Sequence, residues 1–377
     1  MRRRYFALLA LALLCACGDA SREPTPSANT GLRLLGGEPA DGFARATGPR
    51  DFVFPADHGS HPAYRIEWWY FTGNVATERG RHFGFELTFF RYALAPPVDR
   101  REGASAWRTE QVWMAHFALT DTANGRFIAR ERLTRDALEL AGAESEPLRI
   151  WVKDWSATAV GDSADSELRL FARDDATALT LTLTPTVLPV PQGDNGFDVK
   201  GAGVGNASYY YSVPRLEAQG DVTIDGESVA VNGLAWLDRE WSTSSLDPGT
   251  VGWDWFALHL SDGGSLMFYR LRSVDGEATG FSAGTLVRAD GVRTRLAAND
   301  VTLTPLEYWT SPTTGARYPV VWRLVAARAG ISLDIEPYLN NQELDLSVRY
   351  WEGAVRARGD GPGGPLTAQG YLELAGY

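Results

Sequence analysis

From residue 51 onward the chain runs in short stretches of alternating or aromatic-rich positions, interrupted every ten or so residues by turn-forming side chains. A period of two puts every second residue on one face, so such stretches predict half-buried β-strands. The clearest cover residues 66–75, 82–91, 112–119, 168–172, 178–183, 228–237, 253–260, 265–271 and 320–326. Turns are predicted at Gly73-Asn74, Thr122-Ala123-Asn124-Gly125, Asp225-Gly226, Asp262-Gly263-Gly264, Asp275-Gly276 and Asp290-Gly291, whose residue types tolerate left-handed backbone. Helical periodicity is scarce. Residues 132–141 are the best candidate, yet Leu133, Leu138 and Leu140 do not keep a 3.6 period. Many short strands at even spacing predict an all-β antiparallel sandwich or barrel.

The same texture contains a weak repeat. Phe117-Ala118-Leu119 and Phe256-Ala257-Leu258 are each followed six residues later by glycine, at an offset of 139. Trp155 and Trp309 stand 154 apart, and Leu181-x-Leu183-Thr184-Pro185 and Leu333-x-Ile335-Glu336-Pro337 stand 152 apart. Two diverged copies of one barrel would produce this, at 51–208 and 209–377, with the division near Ser208 where Tyr209-Tyr210-Tyr211 opens the second.

The preceding residues read differently. Arg2, Arg3 and Arg4 precede an apolar run at 5–14 that is too short for a permanent membrane span, and Leu14-Cys15-Ala16-Cys17-Gly18 has the form of a bacterial lipobox. A signal peptide at 1–16 is therefore expected, with lipid on Cys17 and a Ser-, Pro- and Gly-rich tether at 17–50. The expectation is an exported protein, lipid-anchored in the bacterial envelope at the outer membrane and facing the periplasm. No transmembrane helix is expected in the mature chain, and Cys17 alone would leave no disulfide. A net charge of −11 argues against nucleic acid as a partner.

Several blocks then resemble one family. Glu67-Trp68-Trp69-Tyr70-Phe71-Thr72-Gly73-Asn74, Phe83-Gly84-Phe85-Glu86-Leu87-Thr88-Phe89-Phe90-Arg91, His116-Phe117-Ala118-Leu119-Thr120-Asp121, Trp236-Leu237-Asp238-Arg239-Glu240-Trp241 and Gly252-Trp253-Asp254-Trp255-Phe256-Ala257-Leu258 are similar to the AttH-like family, also described as secreted hydrolases. The resemblance implies two tandem lipocalin-like barrels of the calycin superfamily, distantly similar to carotenoid 1,2-hydratases and barrel-shaped fungal cyclases. It implies binding of a lipid or isoprenoid-like small molecule, in or between the barrels. Asp238 resembles an acidic position of the hydratases, although Leu237 and Glu240 replace its flanking His and Asn. The counterpart of a later Tyr-x-Asp, Tyr269-Arg270-Leu271, lacks the acid.

On a strand Trp236, Asp238 and Glu240 share one face, with the two carboxylates about 7 Å apart. Such a pair serves as acid and base for adding water to an alkene, or else pairs with Arg91 or Arg239 to lock a barrel end. His116 is a candidate proton shuttle and His259 sits on the repeated strand. Glu67 is either a cavity acid or a partner for Arg65 or Arg91. The 13 tryptophans and 14 tyrosines supply candidate ligand contacts at Trp69, Tyr70, Tyr210, Trp236, Trp253 and Trp255, with Glu67, Arg91, Asp254 and His259 beside them. Gly280-Phe281-Ser282-Ala283-Gly284 fits a serine-hydrolase elbow, but a strand rather than a helix is predicted after it. Scattered histidines without His-Glu-x-x-His indicate no metal, and no nucleotide motif calls for a cofactor.

Overall fold

The computed structural model describes residues 41–97, 105, 107–161, 163, 165–243, 246–247 and 249–377. The signal, Cys17 and most of the tether lie outside the described residues.

Two antiparallel sheets curl into barrels, and they share one plan. The first begins with a meander of β1 (Ile66–Ala76), β2 (His82–Ala93), β3 (Gln111–Asp121) and β4 (Arg126–Arg135). A second meander follows, of β5 (Ala141–Ser145), β6 (Leu148–Val152), β7 (Trp155–Val160), β8 (Glu167–Asp174) and β9 (Thr177–Pro185). The short β10 (Val190–Pro191) and β11 (Phe197–Val199) flank the long β12 (Ala207–Ile224), which continues into β13 (Glu227–Ser242). β13 pairs with β1 and β12 with β9, joining the two meanders.

The second sheet repeats this order with β14 (Thr250–Leu260), β15 (Ser265–Ser273), β16 (Ala283–Val287) and β17 (Arg293–Ala297). Then come β18 (Thr302–Thr310), β19 (Arg317–Ala326) and β20 (Ile331–Pro337), the short β21 (Glu343–Asp345), and the closing pair β22 (Arg349–Gly361) and β23 (Gly364–Ala375). Here β23 pairs with β14 and β22 with β20.

This plan corrects several sequence expectations. Residues 209–242, assigned to the second copy by a division near Ser208, are hydrogen-bonded into the first sheet, so the sheets part between 242 and 250. The equivalent strands are β7 with β18 and β9 with β20, which the offsets of 154 and 152 detect. The offset of 139 instead aligns β3 with β14, strands of different position. Gly73-Asn74 is no turn but mid-strand, where a Cβ on Gly73 would meet the Phe85 ring and the Leu234 carbonyl at 2.6 Å. The helix candidate at 132–141 is the end of β4 and one 3-10 turn, Ala137–Glu139. The other predicted turns and all nine strands are present.

Burial explains the aromatic density. β8, exposed on one face, alternates strictly between buried and open positions. β1 is buried on nearly every residue, because Trp69, Phe71 and Val75 fill the first barrel while Tyr70 faces the second sheet. β13 is likewise covered on both faces over 235–242, β14 over 254–260 and β22 over 350–355. Among the described residues no helix is long and apolar enough to cross a membrane.

Candidate functional site

Four cross-strand rows face each other where the barrels meet. On the first sheet the register sets Phe90, Trp68, Glu240 and Tyr210 side by side, and next to them Thr88, Tyr70, Asp238 and Ser212. On the second sheet Tyr269, Trp255, Glu373 and Glu352 form one row, and Leu271, Trp253, Ala375 and Tyr350 the other. Between them lies a cavity of about 80 Å3. Only Lys200 and Leu246 of its lining come from connecting segments.

Asp238 is the most elaborately held acid of the cavity lining. Its Oδ1 accepts from Ser212 Oγ at 2.5 Å and Trp236 Nε1 at 2.7 Å, while Tyr210 donates its hydroxyl to Oδ2. Trp255 Nε1 donates in turn to the Tyr210 oxygen at 3.2 Å. Burial raises this carboxyl more than the three donors lower it, and with Glu240 nearby it reaches about 6. Glu240 instead pairs with Lys200, whose ammonium also lies 3.7 Å from Asp198 and 5.2 and 5.1 Å from the Tyr210 and Tyr269 ring centres. Asp198 Oδ1 and Oδ2 each lie 2.8 Å from the Tyr269 hydroxyl, and burial, opposed by Lys200, raises this acid to about 6. A carboxylate of β11, distant in sequence, thus meets Tyr269, whose own segment Tyr269-Arg270-Leu271 carries none. Glu373 accepts from Trp253 Nε1 at 2.7 Å, and burial pushes it up to about 7.

The predicted residues separate cleanly. Asp238, Glu240, Tyr70, Tyr210, Trp253 and Trp255 line the cavity, and Trp236 braces Asp238 from behind. Glu67 and Arg91 do not reach it: Glu67 is fully buried inside the first barrel and bonded to both Arg91 and Arg239. Burial would raise this carboxyl, but the two guanidinium groups and His61 hold it well below the carboxylate range. Arg239 lies 4.0 Å over the Trp69 ring and 4.9 Å over Trp241, so Trp69 belongs to that lock rather than to the cavity.

Asp254 faces the other way, paired with Arg270 and Arg272. His259 Nε2 lies 2.9 Å from the Pro214 carbonyl, and burial lowers it to about 4. His116 stands outside the lining, with Nδ1 2.6 Å from the hydroxyl of Tyr350, which lines it. Ser282 donates to the Thr279 carbonyl at 2.9 Å and accepts from Leu271 N at 3.1 Å, and strand β16 follows it directly. An elbow needs a helix there, so the serine-hydrolase reading fails. Among the described residues no His, Cys, Asp and Glu group is arranged to hold a metal. Sequence reasoning missed Lys200, Glu373 and Tyr350 in the lining, and Asp198 and Glu352 bonded to its Tyr269 and Tyr70; no local motif marks them, and they arrive by sheet register or, for Lys200, on the segment that follows β11.

Relatives share this architecture. A crystal structure of a protein from Nitrosomonas europaea described as of AttH type superposes with a TM-score of 0.78 at 36% identity, covering 89% of this chain and all of that one. Kievitone hydratase from Nectria haematococca matches with a TM-score of 0.66 at 16% identity over 89% of this chain and 98% of its own, a likeness of fold. No curated protein matches the chain. The family model described as AttH-like matches residues 45–377, and the chain belongs to that family.

Proposed function

We propose that the inter-barrel cavity binds an apolar, unsaturated small molecule and adds water across its double bond by acid catalysis. The carrying observation is Asp238: a carboxyl raised to about 6, aimed through Tyr210 into an aromatic cavity. Near neutral pH it keeps a protonated fraction that an exposed aspartate lacks. The proton moves from the Asp238–Tyr210 pair to an alkene carbon, leaving a carbocation on its neighbour. The faces of Trp255, Tyr70 and Trp68 around the cavity suit that developing charge. Water adds to the cation, and Glu240, held by Lys200, takes the released proton. The fold shared with kievitone hydratase supports a hydratase-type reading. Hydration of a panel of isoprenoid alkenes and prenylated phenols in 18O-labelled water, read by mass spectrometry, tests it. Labelled alcohol is expected, and Asp238→Asn should lower its formation by at least about 100-fold with the fold intact. Absence of label from every compound would leave a carrier that binds without turnover, a reading also favoured by the full set of donors on Asp238.

The lipobox at Cys17 supports an exported protein anchored by lipid in the bacterial envelope, at the outer membrane and facing the periplasm. Metabolic labelling with palmitate should mark the wild type and not Cys17→Ser; equal labelling would refute the anchor.

A further inference from the structure

We propose that Glu373 is a neutral carboxylic-acid donor that anchors an oxygen atom of the ligand, so that the cavity selects uncharged apolar molecules bearing a carbonyl or hydroxyl and rejects carboxylate-bearing lipids. This deepens the hydratase reading, since it rests on the same cavity and assigns its opposite wall. Glu373 accepts only the Trp253 indole, and its row places it against the void. Directly across the β22–β23 ladder stands Glu352, fully buried, bonded by the Tyr70 hydroxyl at one oxygen and unpartnered at the other among the described residues. Glu86 lies in the same patch, equally buried, with neither oxygen in hydrogen-bond geometry.

Three desolvated carboxyls this close cannot all ionise. The other charged groups facing Glu373 are Asp238, Glu240 and Lys200, and the lysine is already engaged by Glu240 and Asp198. Burial raises all three, with repulsion from Asp238 and Glu240 on Glu373 and from Glu373 on the other two: Glu373 to about 7, Glu86 to about 8, and Glu352 well above the carboxylate range. A protonated Glu373 presents an O–H to the cavity. An acceptor oxygen pairs with it, while an anionic headgroup would be desolvated among acids with no cation left to receive it.

Equilibrium dialysis of the full-length protein against 2-acetonaphthone and 2-naphthoate, one skeleton carrying a ketone or a carboxylate, tests the selection. The ketone should bind at least ten-fold more tightly at pH 6, and about ten-fold more weakly at pH 8.5 than at pH 6. Glu373→Gln keeps an N–H donor, so it should retain ketone affinity at pH 6 and lose the pH dependence. Equal affinity for the two probes, or an unchanged pH dependence in that variant, would overturn the inference while leaving the cavity reading intact. Failure of both probes to bind would remove the cavity reading and the inference together. Should the variant not fold, infrared spectra of the wild type decide: the carboxylic-acid C=O band must shift when the ketone binds, and a stationary band refutes the anchor.

Discussion

Arg91 and Arg239 approach a single carboxylate, Glu67, and all three are fully buried in the first barrel. Replacing it as Glu67→Gln leaves two guanidinium groups without their counter-charge, which costs about 3–5 kcal/mol in comparable buried pairs. Urea unfolding should show that loss, and a variant within 1 kcal/mol of the wild type, on the order of an exposed pair, would mean that the lock is incidental. Asp238 is also held by several partners, but it borders a cavity and its charge is disfavoured by burial, whereas that of Glu67 is secured. Local sequence does not separate these fates, since both acids sit among tryptophans on alternating strands. Their partners arrive from other strands, at positions 91, 210, 212 and 239.

At the level of strands, the site is a product of register. Trp68 opposite Glu240, and Tyr70 opposite Asp238, place acid and aromatic groups in adjacent rows, and a one-residue slip would turn every one of them into the barrel core. Gly73 helps to hold that register because β1 crosses under the Phe85 ring without room for a methyl group. Gly73→Ala should therefore lower stability by about 1–3 kcal/mol through overpacking. Thermal unfolding checks this, and an unchanged midpoint would contradict it. The turn predicted at this glycine failed because Gly-Asn is ambiguous: in a strand, glycine also marks a close approach.

For the whole molecule, the unusual feature is the number of acids whose charged form burial between the barrels disfavours. Asp198 and Asp238 near 6, Glu373 near 7 and Glu86 near 8 all lie above their unfolded values of about 4. The native state therefore binds more protons than the unfolded chain. Stability from these groups is full below about pH 4 and is lost as pH rises through about 6 to 8. Asp57, lowered to about 2, and Glu67 act oppositely only on acidification below about pH 4, while His82 and His259, lowered to about 4 by burial, oppose the trend as pH falls through about 6.5 but are outnumbered by the raised acids. The thermal midpoint should accordingly be higher at pH 6 than at pH 8.5 in matched ionic strength. A midpoint that rises over that interval would show that the acids are not buried as described.

The sequence by itself determined the class of fold, nine of the strands and the duplication, because period-two alternation and turn chemistry are local properties. It also named Asp238, Glu240 and half of the aromatic wall, Tyr70, Tyr210, Trp253 and Trp255, since those residues sit in compact blocks on single strands. The tertiary structure decided which face of each strand met a cavity and which met a core: Trp69 and Tyr70 are neighbours in the chain, yet one packs the barrel and the other lines the site. It also decided the strand exchange that assigns 207–242 to the first sheet, and the arrival of Lys200, Asp198 and Glu373 from distant segments. Pairing between strands depends on contacts far apart along the chain, and no local pattern encodes them.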